Sequence, residues 1–114
     1  MTRNDIPLCF AANYFDRLKG LFSFEGEEVV LVIIPCKSIH TFFLGRSIHV
    51  AFFDRKGFVV ASYKDVPPFR LCRERKAYGV LERWSGGKGE DTWLEVGDRI
   101  IVTAKQYRKE GERC

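Results

Sequence analysis

Two short apolar runs, residues 48–53 and 58–63, flank the tetrapeptide Asp54-Arg55-Lys56-Gly57, and this pattern constrains the fold more than any other feature of the chain. An aspartate at the first position of a turn accepts hydrogen bonds from the backbone that follows. A glycine at its end takes the left-handed conformation that other residues avoid. The flanks are rich in Val, Ile and Phe, residues that fit a pleated and partly buried surface. The spacing predicts a hairpin in which 48–53 returns as 58–63.

Other segments extend the β pattern. Residues 8–11 read as an opening strand and 29–34 as a buried strand that Pro35 ends. Residues 38–43 form a second extended stretch, which the loop Leu44-Gly45-Arg46-Ser47 joins to 48–53. Val66-Pro67-Pro68-Phe69 is loop, because proline cannot donate to a strand ladder. Residues 77–82 and 99–104 read as further strands, and the glycine-rich stretch 85–89 as a connection. That stretch lacks the Gly-x-x-x-x-Gly-Lys-Ser/Thr spacing of a phosphate loop. Helical spacing is confined to Tyr14, Phe15, Leu18 and Leu21 after an Asn13 cap, giving a helix over 13–19, and to one turn at 91–94. These elements predict an α+β, mainly-β fold. It is a small antiparallel barrel or strongly curved sheet of six or seven strands, with one short N-terminal helix and a second helical turn.

The 114 residues suit one domain over 1–114, with a core at 8–104 and a charged tail at 105–114. The apolar fraction of 46% with 30% charged residues is that of a folded globule. The ten phenylalanines point first to a compact core and second to an aromatic-lined pocket. Net charge is +4, and only the run 70–76, with four bases and one acid, is densely positive. The longest apolar run, 29–35, is too short to span a bilayer, and no leader-like segment opens the chain. A cytoplasmic protein without a membrane partner is expected. Cys9, Cys36, Cys72 and Cys114 lie far apart, which rules out a zinc ribbon or a thioredoxin-like motif and leaves thiols in a reducing compartment.

An ordered set of motifs carries a resemblance. It runs from Arg17-Leu18-Lys19-Gly20-Leu21-Phe22 through Cys36 and Ser38-Ile39-His40-Thr41-Phe42-Phe43 to Val50-Ala51-Phe52-Phe53-Asp54, Gly57 and Val59. Val80-Leu81-Glu82 and Val96-Gly97-Asp98-Arg99-Ile100 complete it. Over roughly residues 8–102 the chain resembles the bacterial and archaeal family catalogued as domain of unknown function one hundred and ninety-two. The resemblance implies a compact, largely β domain with a short helix near the N-terminus, and it implies no reaction. The chain departs from the family pattern at Leu44, Ser47 and His49, where Met, Pro and Asp are usual.

Side chains two apart on a strand share a face, so Cys36, Ser38, His40 and Phe42 are expected to line up, provided that Pro35 does not break the alternation. If 38–43 and 48–53 pair through the 44–47 loop, Phe42 faces His49, and the two histidines of the chain approach each other. Cys36, His40 and His49 would then suit zinc or copper, or would present a thiol beside an imidazole. The plainer alternative gives His40 a carbonyl partner and makes Cys36 a small buried residue. Arg70, after the rigid Pro67-Pro68 pair, could hold a carboxylate or phosphate at the rim. Asp65, Arg70, Glu82 and Asp98 form a second polar set, with Asp54 and Asp98 read as turn formers. Arg70, Arg73, Arg75 and Lys76, with Phe69 and Tyr78 alongside, have the composition of a single-strand binder, but a solvated loop is the simpler reading, and nucleic acid is not the expected partner.

These residues favour a non-catalytic binding or accessory module with a pocket near the 36–49 hairpin. Its ligand-binding residues would be Cys36, Ser38, His40, Phe42, His49 and Arg70, and its partner a small molecule or a protein. The rival is a metal-dependent or thiol enzyme using Cys36, His40 and His49. No cofactor is implied, and whether the chain is an enzyme is left open by the sequence.

Overall fold

A computed structural model describes residues 8–11, 30–42, 44–85 and 92–100. They form seven strands: β1 (Leu8–Ala11), β2 (Val30–Ile33), β3 (Ser38–His40), β4 (Ile48–Phe53), β5 (Val59–Val66), β6 (Leu71–Arg73) and β7 (Gly79–Trp84). Five of them build one sheet in the order β1-β2-β7-β4-β5, while β3 and β6 pair separately. The β1–β2 pair is parallel, and the other pairs are antiparallel.

The β4–β5 hairpin forms where the turn chemistry places it. Asp54 Oδ1 accepts the N–H groups of Lys56 at 2.9 Å and Phe58 at 3.0 Å. Gly57 takes φ +91, and a Cβ there would lie 2.8 Å from the carbonyl oxygen of Ile100. Conformation and space both require glycine at that position. β5 runs on to Val66, past the expected end at 63, because its pairing with β4 continues through the exposed residues Tyr63, Lys64 and Asp65. Two register irregularities interrupt the pairing, and one of them accompanies Asp65 at φ 54.

Strands β4 and β7 are buried along their whole length, because both faces of the sheet are covered. On one face Leu31, Ile33, Ile48, Val50, Phe52, Val80 and Trp84 pack with Ile39, Leu44 and Cys72, which the small sheet and its flanking loop supply. On the other, Val30, Val32, Ala51, Phe53, Val59 and Leu81 pack under Tyr78, Trp93, Leu94 and Ile100. Burying a side chain such as Phe52 is worth about 1.5–3 kcal/mol. Gly79 begins β7 where a Cβ would sit 2.6 Å from Phe53 Cζ and 2.9 Å from the Ile33 carbonyl oxygen, so its lack of a side chain lets β7 seat against both neighbours.

Several expectations change. The fold is mainly β, but the described strands leave β1 and β5 as the ends of an open sheet, so no closed barrel forms among them. The 13–19 helix lies outside the described residues. In the 91–94 turn, Thr92–Leu94 is irregular rather than helical, because its carbonyls serve other strands. Ser62 Oγ donates to the Leu94 oxygen, and Arg83 Nη2 donates to that of Thr92. Of the 99–104 strand, the described part makes a single bridge, Phe58 to Arg99. β6 forms within the basic run that read as solvated loop. No helix among the described residues is long and apolar enough to cross a membrane.

Candidate binding face

The small sheet separates the two histidines. β3 does not return as β4. It pairs with β6, placing Ser38 opposite Arg73, Ile39 opposite Cys72 and His40 opposite Leu71. β4 lies between β5 and β7, and there His49 faces Arg83 rather than Phe42. His49 is fully buried and its Nδ1 accepts the Asp65 N–H at 3.0 Å, while its ring lies 5.5 Å from that of Trp93. The Arg83 guanidinium lies over the same indole at 5.1 Å. His49 is therefore part of the packing beneath the 92–100 segment. It belongs to a different sheet from His40.

Cys36 also leaves the expected set. The alternation breaks at Pro35. Cys36 packs partly against the inner core with its Sγ donating to the Ser38 carbonyl at 3.2 Å, whereas Ser38 and His40 lie on the outer side of β3. The trio Cys36, His40 and His49 is not assembled, and among the described residues no three His, Cys, Asp or Glu side chains gather in a group that could hold a metal ion.

What the structure does bring together is the outer face of β3 and β6. Ile39 and Cys72 point inward, leaving Ser38, His40, Leu71 and Arg73 outward. Two phenylalanines extend this array. Phe42 is 41% exposed with its ring centroid 4.9 Å from that of His40 and tilted by 35°, and Phe69, 70% exposed, lies 6.1 Å from Phe42. Leu71 is 59% exposed. Of the six candidates read from sequence, Ser38, His40 and Phe42 lie on this face, Arg70 is exposed at its edge across from Thr41, and Cys36 and His49 lie elsewhere.

Thr41 holds this face together. It is fully buried, and its hydroxyl donates to the Pro67 carbonyl at 2.6 Å and accepts the Arg70 N–H at 2.8 Å. Its backbone binds the same loop, through Thr41 N–H to Arg70 O at 2.9 Å and Phe69 N–H to Thr41 O at 3.2 Å. These bonds fix Phe69 at φ 65, a left-handed conformation that costs an aromatic residue about 1–2 kcal/mol. Such strain at an exposed side chain is a reason to look for a function, because burial does not repay it.

Sequence reasoning missed Thr41 and Leu71, and it gave Phe69 only a supporting place. A threonine in an extended stretch carries no sign of which loop it will bind. The acids divide as well. Asp54 and Asp98 are turn formers, the latter accepting the Glu95 N–H at 2.8 Å. Asp65 accepts from Ser85 Oγ at the bulge, and Glu82 is fully buried on the same face of β7 as Val80 and Trp84. On the other side of the large sheet, an open recess of about 430 Å³ is lined by Ser62, Lys64 and residues 92–96, and none of the six candidates lines it.

No known family model and no curated protein matches the chain. Among solved structures it is similar to the crystal structure of a protein of unknown function from Novosphingobium aromaticivorans DSM 12444. The TM-score is 0.64 and the identity 17%, over 82% of this chain and 73% of that one. Likeness at this level is one of fold and carries no function.

Proposed function

We propose that the protein is a non-catalytic binding module, cytoplasmic as its sequence suggests, that takes an extended anionic partner across the outer face of β3 and β6. The supporting observation is Phe69, exposed and in a left-handed conformation, on a loop bolted down by the buried Thr41. Exposed bases stand on the segments that carry this face: Lys37 just before β3, and Arg70, Arg73, Arg75 and Lys76 in the run 70–76, whose one acid is Glu74. A projecting aromatic–cationic face suits a partner that lies along the surface better than a small molecule enclosed in a pocket. Placing the chain in the family catalogued as domain of unknown function one hundred and ninety-two accompanies this reading as a proposal from its ordered motifs. An alignment with members that left Cys36, residues 38–43 and Gly97 out of register would remove it.

The test uses a fluorescent abasic deoxyribose-phosphate dodecamer, a polyanion without bases, titrated by anisotropy at 50 mM salt. Measurable binding is expected, with several-fold weakening in the R70A/R73A double variant. Absence of binding, or binding that this variant leaves unchanged, would sink the anionic-partner reading.

A further inference from the structure

Ring spacing and the order of charges along the face narrow the class of partner. Phe42 and Phe69 are both open to solvent with centroids 6.1 Å apart. That separation exceeds the rise of about 3.4 Å between neighbouring bases on one strand of a duplex, so the two rings fit bases spread along an extended chain. Beyond the rings, β6 continues through Leu71 to Arg73, four residues past Phe69 and about 13 Å along an extended backbone. Lys37 lies beside the end of this path, because its carbonyl accepts the Glu74 N–H at 2.8 Å, and the exposed Arg75 and Lys76 follow in the next turn. Aromatic rings thus stand at one end of a strip and positive charge accumulates toward the other, with Arg70 next to the rings. Tyr78 is not part of the strip. It packs edge-on against Phe53 beneath the large sheet, with Arg55 over its ring at 4.7 Å.

We infer that the partner is a single-stranded polynucleotide, with bases stacked on Phe42 and Phe69 and phosphates held by Arg70, Arg73 and Lys37. This rests on the anionic-face reading above. Stacking is tolerant of sequence because every base has a π-face, and the cations follow the backbone. An acidic peptide would use the same charges but would have less use for two exposed rings. A duplex hides its base faces and would leave both rings idle.

The experiment compares labelled dT12 with the abasic dodecamer of equal charge, a 12-base-pair duplex and an acidic dodecapeptide containing phenylalanine. All are titrated with the intact protein at 50 and 200 mM salt. Stacking on two rings predicts that dT12 binds at least tenfold tighter than the abasic strand. F69A and F42A should each shrink that ratio about fivefold or more. Both rings are substantially exposed, so these variants keep the fold. With about three phosphates engaged, one by each of Arg70, Arg73 and Lys37, affinity should fall about 20-fold between the two salt concentrations, and the log–log slope should lessen by about 0.7 for each arginine removed.

A dT12-to-abasic ratio below about two would overturn the inference while leaving the anionic face intact. So would a ratio unmoved by both phenylalanine variants, or tighter binding of the duplex or the peptide. Failure of both the abasic strand and dT12 to bind would overturn the two readings together.

Discussion

Replacing Thr41 with valine keeps the shape of a fully buried side chain and removes its hydroxyl, so it isolates what that oxygen does. Two hydrogen bonds disappear, the 2.6 Å bond to the Pro67 carbonyl and the 2.8 Å bond from the Arg70 N–H. A net contribution of about 1 kcal/mol applies to each, because Pro67 and Arg70 belong to a surface loop that water can partly re-solvate. The two backbone bonds between Thr41 and the loop remain, so the loop loosens without detaching. The expected loss is about 2 kcal/mol. At a urea m-value of about 1.5 kcal/mol/M, the midpoint falls by about 1.3 M with the slope unchanged, and Tm falls by roughly 8 °C. Thr41→Ser keeps the hydroxyl and loses a buried methyl, at about 1 kcal/mol. Amide exchange at Arg70 separates the two effects, quickening in T41V and staying near wild type in T41S. If T41V lies within 0.5 kcal/mol of wild type, or if T41S quickens exchange as much as T41V, the hydroxyl is not the bolt and the case for a preset Phe69 fails.

Three further outcomes follow from the packing. Gly79→Ala should cost about 2–3 kcal/mol in urea unfolding, because its Cβ meets the Ile33 carbonyl oxygen, which cannot swing aside as a side chain can; a near-neutral result would refute the close approach. His49→Ala should cost about 3 kcal/mol, since it empties a buried site under Trp93 and leaves the Asp65 N–H without its acceptor. Its folded fraction should still bind dT12 as wild type does, and weaker binding there would place His49 on the functional face after all. Under brief thiol labelling with mass mapping, half-buried Cys36 should react before buried Cys72, and the reverse order would contradict the inward setting of Cys72.

The chain's local chemistry was legible from sequence where a few adjacent residues decide the outcome. Asp54 and Gly57 fix their turn by hydrogen bonds and backbone freedom that lie within five residues, and the β4–β5 hairpin follows. The β-branched runs became β2, β4 and β7 close to their expected bounds. The inward–outward alternation of Ser38, Ile39 and His40 also held, because side-chain direction on a strand is a matter of pleat.

Neighbours across space were decided by the tertiary structure. A period of two says which side chains share a face and says nothing about which strand lies alongside. The short 44–47 loop made β3 and β4 look like partners, yet β3 pairs with β6 more than thirty residues away, as the β3–β6 register and the Thr41 clamp show. That one pairing carried His40 to an exposed aromatic face and left His49 buried against Trp93. It also turned a basic run that read as solvated loop into a strand with Leu71 and Arg73 facing outward. The sequence by itself determined the hairpin turn and the runs that became β2, β4, β5 and β7. Only the packing of a second sheet onto the first, driven by burial of Ile39, Leu44 and Cys72, decided where that face is and which residues it excludes.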